Sequence, residues 1–329
     1  GTVLWGTGRA WFDDVQWEMD VQTQNVIVHS PESCQLAEVD LAQSWPPART
    51  DQERPIQRLH LEFLNFGVNA KENVLACFNS SMVGTRQFPL ASPDQIRLFA
   101  GDRIIEPVVI GQYLMWTERL PGNSRVHRYI YSTTNTLAHQ KDKANFASSG
   151  YMTLLNSNNN LVRNSSFELG ENTPEAWVQS GAGESGVQFL IDKPNRDGFV
   201  QRAARLDVAA GTRSVWRGWQ QKISVHPGAT YFVAGWLKSQ NLEGEARIHI
   251  HFHDAQGQLA KSGGMTSIGP GIRGTQDWTL LSGLIKVPDD ATTLTLHLTM
   301  NTTGTLWHDA IVVAEVVNVT HVKREPAPI

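Results

Sequence analysis

The sequence predicts an all-β protein built of β-sandwich domains, and three observations point there. Charged residues are only 18% of 329, beside 27 glycines and 11 tryptophans, a balance that fits a β-rich extracellular protein better than a helical cytosolic one. Short apolar runs of strand length recur between Gly, Pro and Asn breakers. The C-terminal half carries no helical period.

The elements follow in order. Residues 1–28 alternate, with Trp11, Asp13, Val15 and Trp17 on one face and Phe12, Asp14, Gln16 and Glu18 on the other. Gly8, Trp11 and Asp13 match Gly304, Trp307 and Asp309 in spacing. Residues 1–28 are therefore expected to be an orphan closing strand from an upstream module. Residues 29–137 are expected to form a middle β-sandwich. Its first part, with Pro31, Pro46, Pro47 and Pro55, reads as a long connection. Leu59–Leu64, Val74–Phe78, Ile96–Phe99, Val108–Ile110, Tyr113–Glu118 and Arg128–Tyr131 supply its strands. The polar residues 138–159 read as a linker, or a loop holding a helical turn. Residues 160–319 carry strands at Arg202–Val208, Ser214–Ile223, Thr230–Lys238, Ala246–His253, Trp278–Lys286, Thr293–Met300 and Gly304–Val313, and Asp254–Gly257 makes a hairpin turn. Residues 320–329 read as a tail.

Net charge is −4, so no basic field exists to draw nucleic acid. No apolar run approaches the roughly 20 residues of a helical membrane span. Cys34 and Cys77 are the two cysteines, and a disulfide between them is one of the alternatives that sequence leaves open.

The third block carries a family pattern. Asn160-Leu-Val-Arg-Asn-Ser-Ser-Phe167-Glu168 is followed by Pro174-Glu-Ala-Trp177, Thr230–Lys238, Phe252-His-Asp-Ala-Gln-Gly257, Gly274-Thr-Gln-Asp-Trp278 with Val287-Pro288, and Gly304…Trp307-His-Asp309. In this order they resemble the carbohydrate-binding modules of families 4, 9 and 22, a galactose-binding-like jelly roll. Residues 1–20 resemble only the last strand of such a module. The resemblance implies a structural calcium ion, Ca2+, held by Glu168 after the opening Phe and by Asp309 in the closing strand. Calcium wants six to eight oxygens. The bland alternative is that both acids are strand-end residues or accept backbone N–H bonds.

The candidate ligand face follows from alternation. In Arg247–His253, Ile248, Ile250 and Phe252 share the core side, leaving His249, His251 and His253 opposite. In Thr293–Met300, Thr295, His297 and Thr299 leave the core in the same way. If Gly235 and Leu237 point inward, Trp236 joins that polar face. Such a face offers a ring for the C–H side of a sugar and hydrogen-bonding groups for its hydroxyls. Zinc is the competing ligand, but histidines at i, i+2 and i+4 in a strand spread over about 13 Å, so at most two share an ion. A merely solvated or domain-covered face is the third alternative. Trp216, Trp219 and Trp278 read as core or loop packing.

No nucleophile elbow, phosphate loop or zinc-protease motif is present. Acids such as Glu62, Glu106, Glu118 and Asp254 could pair for glycoside cleavage only at roughly 5–9 Å separation; the plain alternative is ordinary surface carboxylates. The expected function is a non-catalytic extracellular or cell-surface β-sandwich protein whose C-terminal module binds polysaccharide. Two alternatives accompany it. One is a structural filament, sheath or surface-layer subunit that self-associates through residues 1–20. The other is an accessory fragment of a glycoside hydrolase or lyase.

Overall fold

The computed structural model describes residues 18–19, 26–27, 36–40, 55–79, 96–100, 103–105, 107–133, 149–193, 202–318 and 321–326. Most are strand: β1 (Glu18–Met19), β2 (Val26–Ile27), β3 (Ala37–Val39), β4 (Pro55–Asn65), β5 (Lys71–Asn79), β6 (Ile96–Ala100), β7 (Arg103–Ile105), β8 (Val108–Ile110), β9 (Tyr113–Leu120) and β10 (Ser124–Thr133). One helix, α1 (Ser149–Leu155), then precedes β11 (Val178–Ser180), β12 (Val187–Asp192), β13 (Ala203–Val208), β14 (Arg217–Ser224), β15 (Thr230–His253), β16 (Met265–Lys286), β17 (Thr293–Met300), β18 (Gly304–Asn318) and β19 (His321–Pro326).

The C-terminal half closes as two stacked sheets that share β15 and β16. The expected strands Thr230–Lys238 and Ala246–His253 are one strand. Its first part pairs β18 and its second part pairs β17, while β16 follows it along both. Register shifts between Leu237 and Ile248 mark the corner, and Asn241 there has φ 56°. Bulges of this kind turn a strand from one sheet into the other. One sheet therefore runs β11-β14-β17-β15-β16, and the other β12-β13-β18-β15-β16. Trp219, Tyr231, Val233, Leu237, Ile248, Ile250, Phe252, Leu296, Leu298 and Ile311 fill the space between them. Gly235 also points inward, where a Cβ would stand 2.7 Å from Ile311 Cδ1. The corner explains why alternation changes parity along β15: odd residues face the core before it and even residues after it.

The middle region is a second sandwich. One layer is β19-β4-β10-β6-β7 with β3 beside β10; the other is β5-β9-β8, which continues the jelly-roll sheet because β5 lies parallel to the end of β18. Leu59, Leu61, Phe63, Phe78, Leu114, Trp116 and Ile130 form its core. Two expected boundaries change here. The segment read as a tail contains β19, which pairs antiparallel with β4 and belongs to the middle sandwich. The linker contains α1, whose Tyr151, Leu154 and Leu155 pack between the two sandwiches.

That packing forms a third apolar cluster, with Cys77, Ile110, Tyr113 and Met115 on one side and Phe232, Ala234, Trp236, Ala310 and Val312 on the other. Burial there pushes the Cys77 thiol up to about 12. Cys34, and the expected strand and self-association segment at 1–20 apart from the β1 residues Glu18 and Met19, lie outside the described residues. Among the described residues no helix is long and apolar enough to cross a membrane.

Candidate functional site

The outer face of the β11-β14-β17-β15-β16 sheet carries the site. Backbone register sets its rows. Gln220 lies opposite His297, His297 opposite His249, and His249 opposite Ser267. In the next row Lys222, Thr295, His251 and Met265 stand side by side. Facing residues in such pairs have Cβ atoms about 5 Å apart, so the side chains interact.

The rings meet accordingly. His251 and His297 have centroids 4.2 Å apart. Trp216, on the loop entering β14 and 41% exposed, stands against His249 with centroids 4.3 Å apart and planes at 62°. Together with Ser267 and Thr299 these residues line a groove of about 600 Å3. Two polar atoms, His297 Nε2 and Thr299 Oγ1, are buried and meet no hydrogen-bond partner; buried groups of this kind are normally satisfied.

The histidines are held neutral. Burial, then the neighbouring His251, His249 and His253, push His297 down to about 4. Burial, then His253, lowers His251. Burial, then Arg247 and His251, lowers His249 against the opposing pull of Glu245. A neutral imidazole has one donor and one acceptor nitrogen, which suits a hydroxyl-rich ligand better than an anion. Among the described residues, the groove lining holds no carboxylate.

The structure brings together His249, His251 and His297 of the expected residues. His253 and Thr295 stand at the side, where His253 Nε2 and Thr295 Oγ1 are 3.1 Å apart. Trp236 is a correction. Gly235 and Leu237 do point inward, so Trp236 does leave the core. That part of β15, however, belongs to the other sheet, and Trp236 is buried against Tyr151 beneath the middle sandwich. Trp216, Ser267 and Thr299 complete the groove instead. Alternation counted from Trp219 and Ile223 on the core side places Trp216 on the open side with Gln220 and Lys222.

The acids have other partners. Glu168 is exposed, and its Oε1 accepts the Arg202 backbone N–H. Asp309 is buried, and its Oδ1 accepts the Ala310 N–H. The Arg202 guanidinium donates to the carbonyl oxygens of Glu168 and Glu171. Glu118 accepts from Arg128 and Trp116, Asp254 caps its own turn, and Glu106 lies outside the described residues.

Residues 159–305 match the family model described as "Carbohydrate binding domain". Residues 159–305 thus carry the sequence pattern of a carbohydrate-binding module, on a jelly roll of two stacked sheets. Among similar solved structures is the enzymatically active domain of bacteriophage CBA120 tailspike protein 4, 19% identical, covering 48% of this chain at TM-score 0.40; this chain covers 21% of it. Another is the C-terminal family 22 carbohydrate-binding module of Clostridium thermocellum Xyn10B, 16% identical, covering 48% of this chain and 95% of its own, TM-score 0.37. The family 22 xylan-binding domain of Paenibacillus barcinonensis Xyn10C is 17% identical, covering 47% and 94%, TM-score 0.36. No curated protein sequence matches the chain.

Proposed function

We propose that the chain binds a neutral polysaccharide in the groove of its C-terminal jelly roll, outside the cell and without cleaving it. The observation that carries this reading is the meeting of an exposed indole, Trp216, with three neutral histidines in a groove whose described lining bears no carboxylate. The C–H face of a sugar ring packs on the indole. Its hydroxyls pair with His249, His297 Nε2 and Thr299 Oγ1, giving the buried polar atoms the partners they otherwise lack.

The test is isothermal titration, or affinity electrophoresis, against a panel of soluble neutral and acidic polysaccharides. Saturable binding to at least one neutral glycan is expected, lost in Trp216→Ala and weakened in His297→Ala, with no new reducing ends released. Absence of binding across the panel, or binding that both variants retain, overturns the reading.

A further inference from the structure

A second chemistry-bearing cluster lies on the middle sandwich, away from the glycan groove. It follows from the same alternation. Leu59, Leu61 and Phe63 of β4 enter the core, which sends Arg58, His60 and Glu62 to the opposite face. The antiparallel register with β10 sets His127 opposite Glu62 and Tyr129 opposite His60.

The three potential ligand atoms of His60, Glu62 and His127 all lie within 4.8 Å of one another. His60 Nε2 is 2.7 Å from His127 Nδ1 and 3.9 Å from Glu62 Oε1. The side chains are largely withdrawn from solvent, with 12%, 18% and 4% of His60, Glu62 and His127 exposed.

The surroundings fix these rings. The His60 imidazole stacks on Tyr129 at 4.7 Å with planes only 7° apart. The Arg58 guanidinium covers the Tyr129 ring at 4.7 Å. Glu38, brought in by β3, lies against His127 Nε2. A carboxylate there accepts a hydrogen bond from the His127 Nε2–H, so the Nδ1 lone pair of His127 is directed at His60 and Glu62. A carboxylate behind an imidazole is the arrangement that orients metal-bound histidines and raises their basicity.

We propose that His60, Glu62 and His127 form a zinc-class divalent metal site, with Glu38 as the positioning residue behind His127. Two imidazole nitrogens and one carboxylate make a donor set that suits zinc, and three protein ligands leave one position open to water or a substrate. The metal takes the place of the proton between His60 Nε2 and His127 Nδ1, which moves through solvent to His60 Nδ1 so that both ligating imidazoles stay neutral. Metal–nitrogen bonds of about 2.0–2.1 Å at a tetrahedral angle put the two nitrogens roughly 3.3 Å apart, so the pair must open by about 0.6 Å.

The test uses the full chain, stripped with chelator and titrated with Zn2+, with metal content measured by mass spectrometry and binding by calorimetry. One zinc per chain is expected, with a higher melting temperature in its presence. Glu62→Gln and His60→Asn should weaken binding at least tenfold. Glu38→Gln should weaken it about 10- to 100-fold, as loss of an orienting carboxylate does. Because the groove also holds imidazoles, His297→Ala is the control and should keep its zinc. No stoichiometric zinc in the wild type overturns the proposal. So does zinc retained by Glu62→Gln and His60→Asn, or zinc lost only with His297→Ala.

Discussion

Trp216 and His249 stand ring to ring, centroids 4.3 Å apart, across the boundary between a loop and a strand. The imidazole holds one side of the indole, and 41% of the tryptophan remains open to the groove. Trp216→Ala should therefore weaken glycan binding about ten- to a hundredfold, as the loss of about 1.5–3 kcal/mol of buried contact implies, while melting temperature changes little. Trp216→Phe should recover part of the affinity. Calorimetry with melting curves on the same samples checks both.

Trp236 should behave in the opposite sense. It is buried between the sandwiches and packs edge-on to Tyr151 at 6.3 Å. Trp236→Ala should cost about 3–5 kcal/mol of stability. Where the variant still folds, its glycan affinity should match the wild type. Denaturant unfolding followed by binding below the midpoint separates the two effects.

Acid should loosen the jelly roll through a buried histidine. His308 is completely buried in β18, neither ring nitrogen meets a partner, and burial pushes it down to about 3 from the ordinary 6.5. Between those values the unfolded chain binds a proton that the folded chain refuses. The stability is thus intact above pH 6.5 and is lost as pH falls, on the order of 1 kcal/mol per pH unit for this residue. His297, pushed down to about 4, acts in the same direction over a narrower range. His308→Leu should flatten the acid limb of stability against pH without lowering stability at pH 7, because an apolar side chain leaves no orphan nitrogens.

Calcium and Arg202 make competing predictions for the loop after Phe167. An ion between Glu168 and Asp309 would give a melting temperature that falls with chelator. The Arg202 guanidinium on the carbonyls of Glu168 and Glu171 predicts instead an unchanged melt in chelator and a lower one in Arg202→Ala. Melting curves with and without chelator on both proteins decide it.

Periodicity made much of this legible. Ile248, Ile250 and Phe252 inward with His249 and His251 outward follow from two-residue alternation alone, as does the core side of β4. What alternation does not carry is the sheet to which a strand belongs. Trp236 and His249 lie on one strand and both leave the core, yet they emerge on opposite outsides of the sandwich because β15 changes sheet between them. The bulges that cause this have no strong local signal beyond Asn241 and Gly244. Trp216 and Trp219 both read as core or loop packing, and only parity with Ile223 separates the loop residue Trp216 from the core residue Trp219. The proposed metal cluster was hidden for another reason: Glu38, Glu62 and His127 are distant in sequence, and only pairing of three strands brings them together.

The chain's return into its own middle has a consequence for synthesis. β4 is bordered on one side by β19, which emerges from the ribosome after the entire jelly roll. Until then β4 has a bare edge, so the middle sandwich cannot be finished when its own strands have been translated. A ribosome that stalls within the later half leaves that edge of the earlier half open to pairing with another chain.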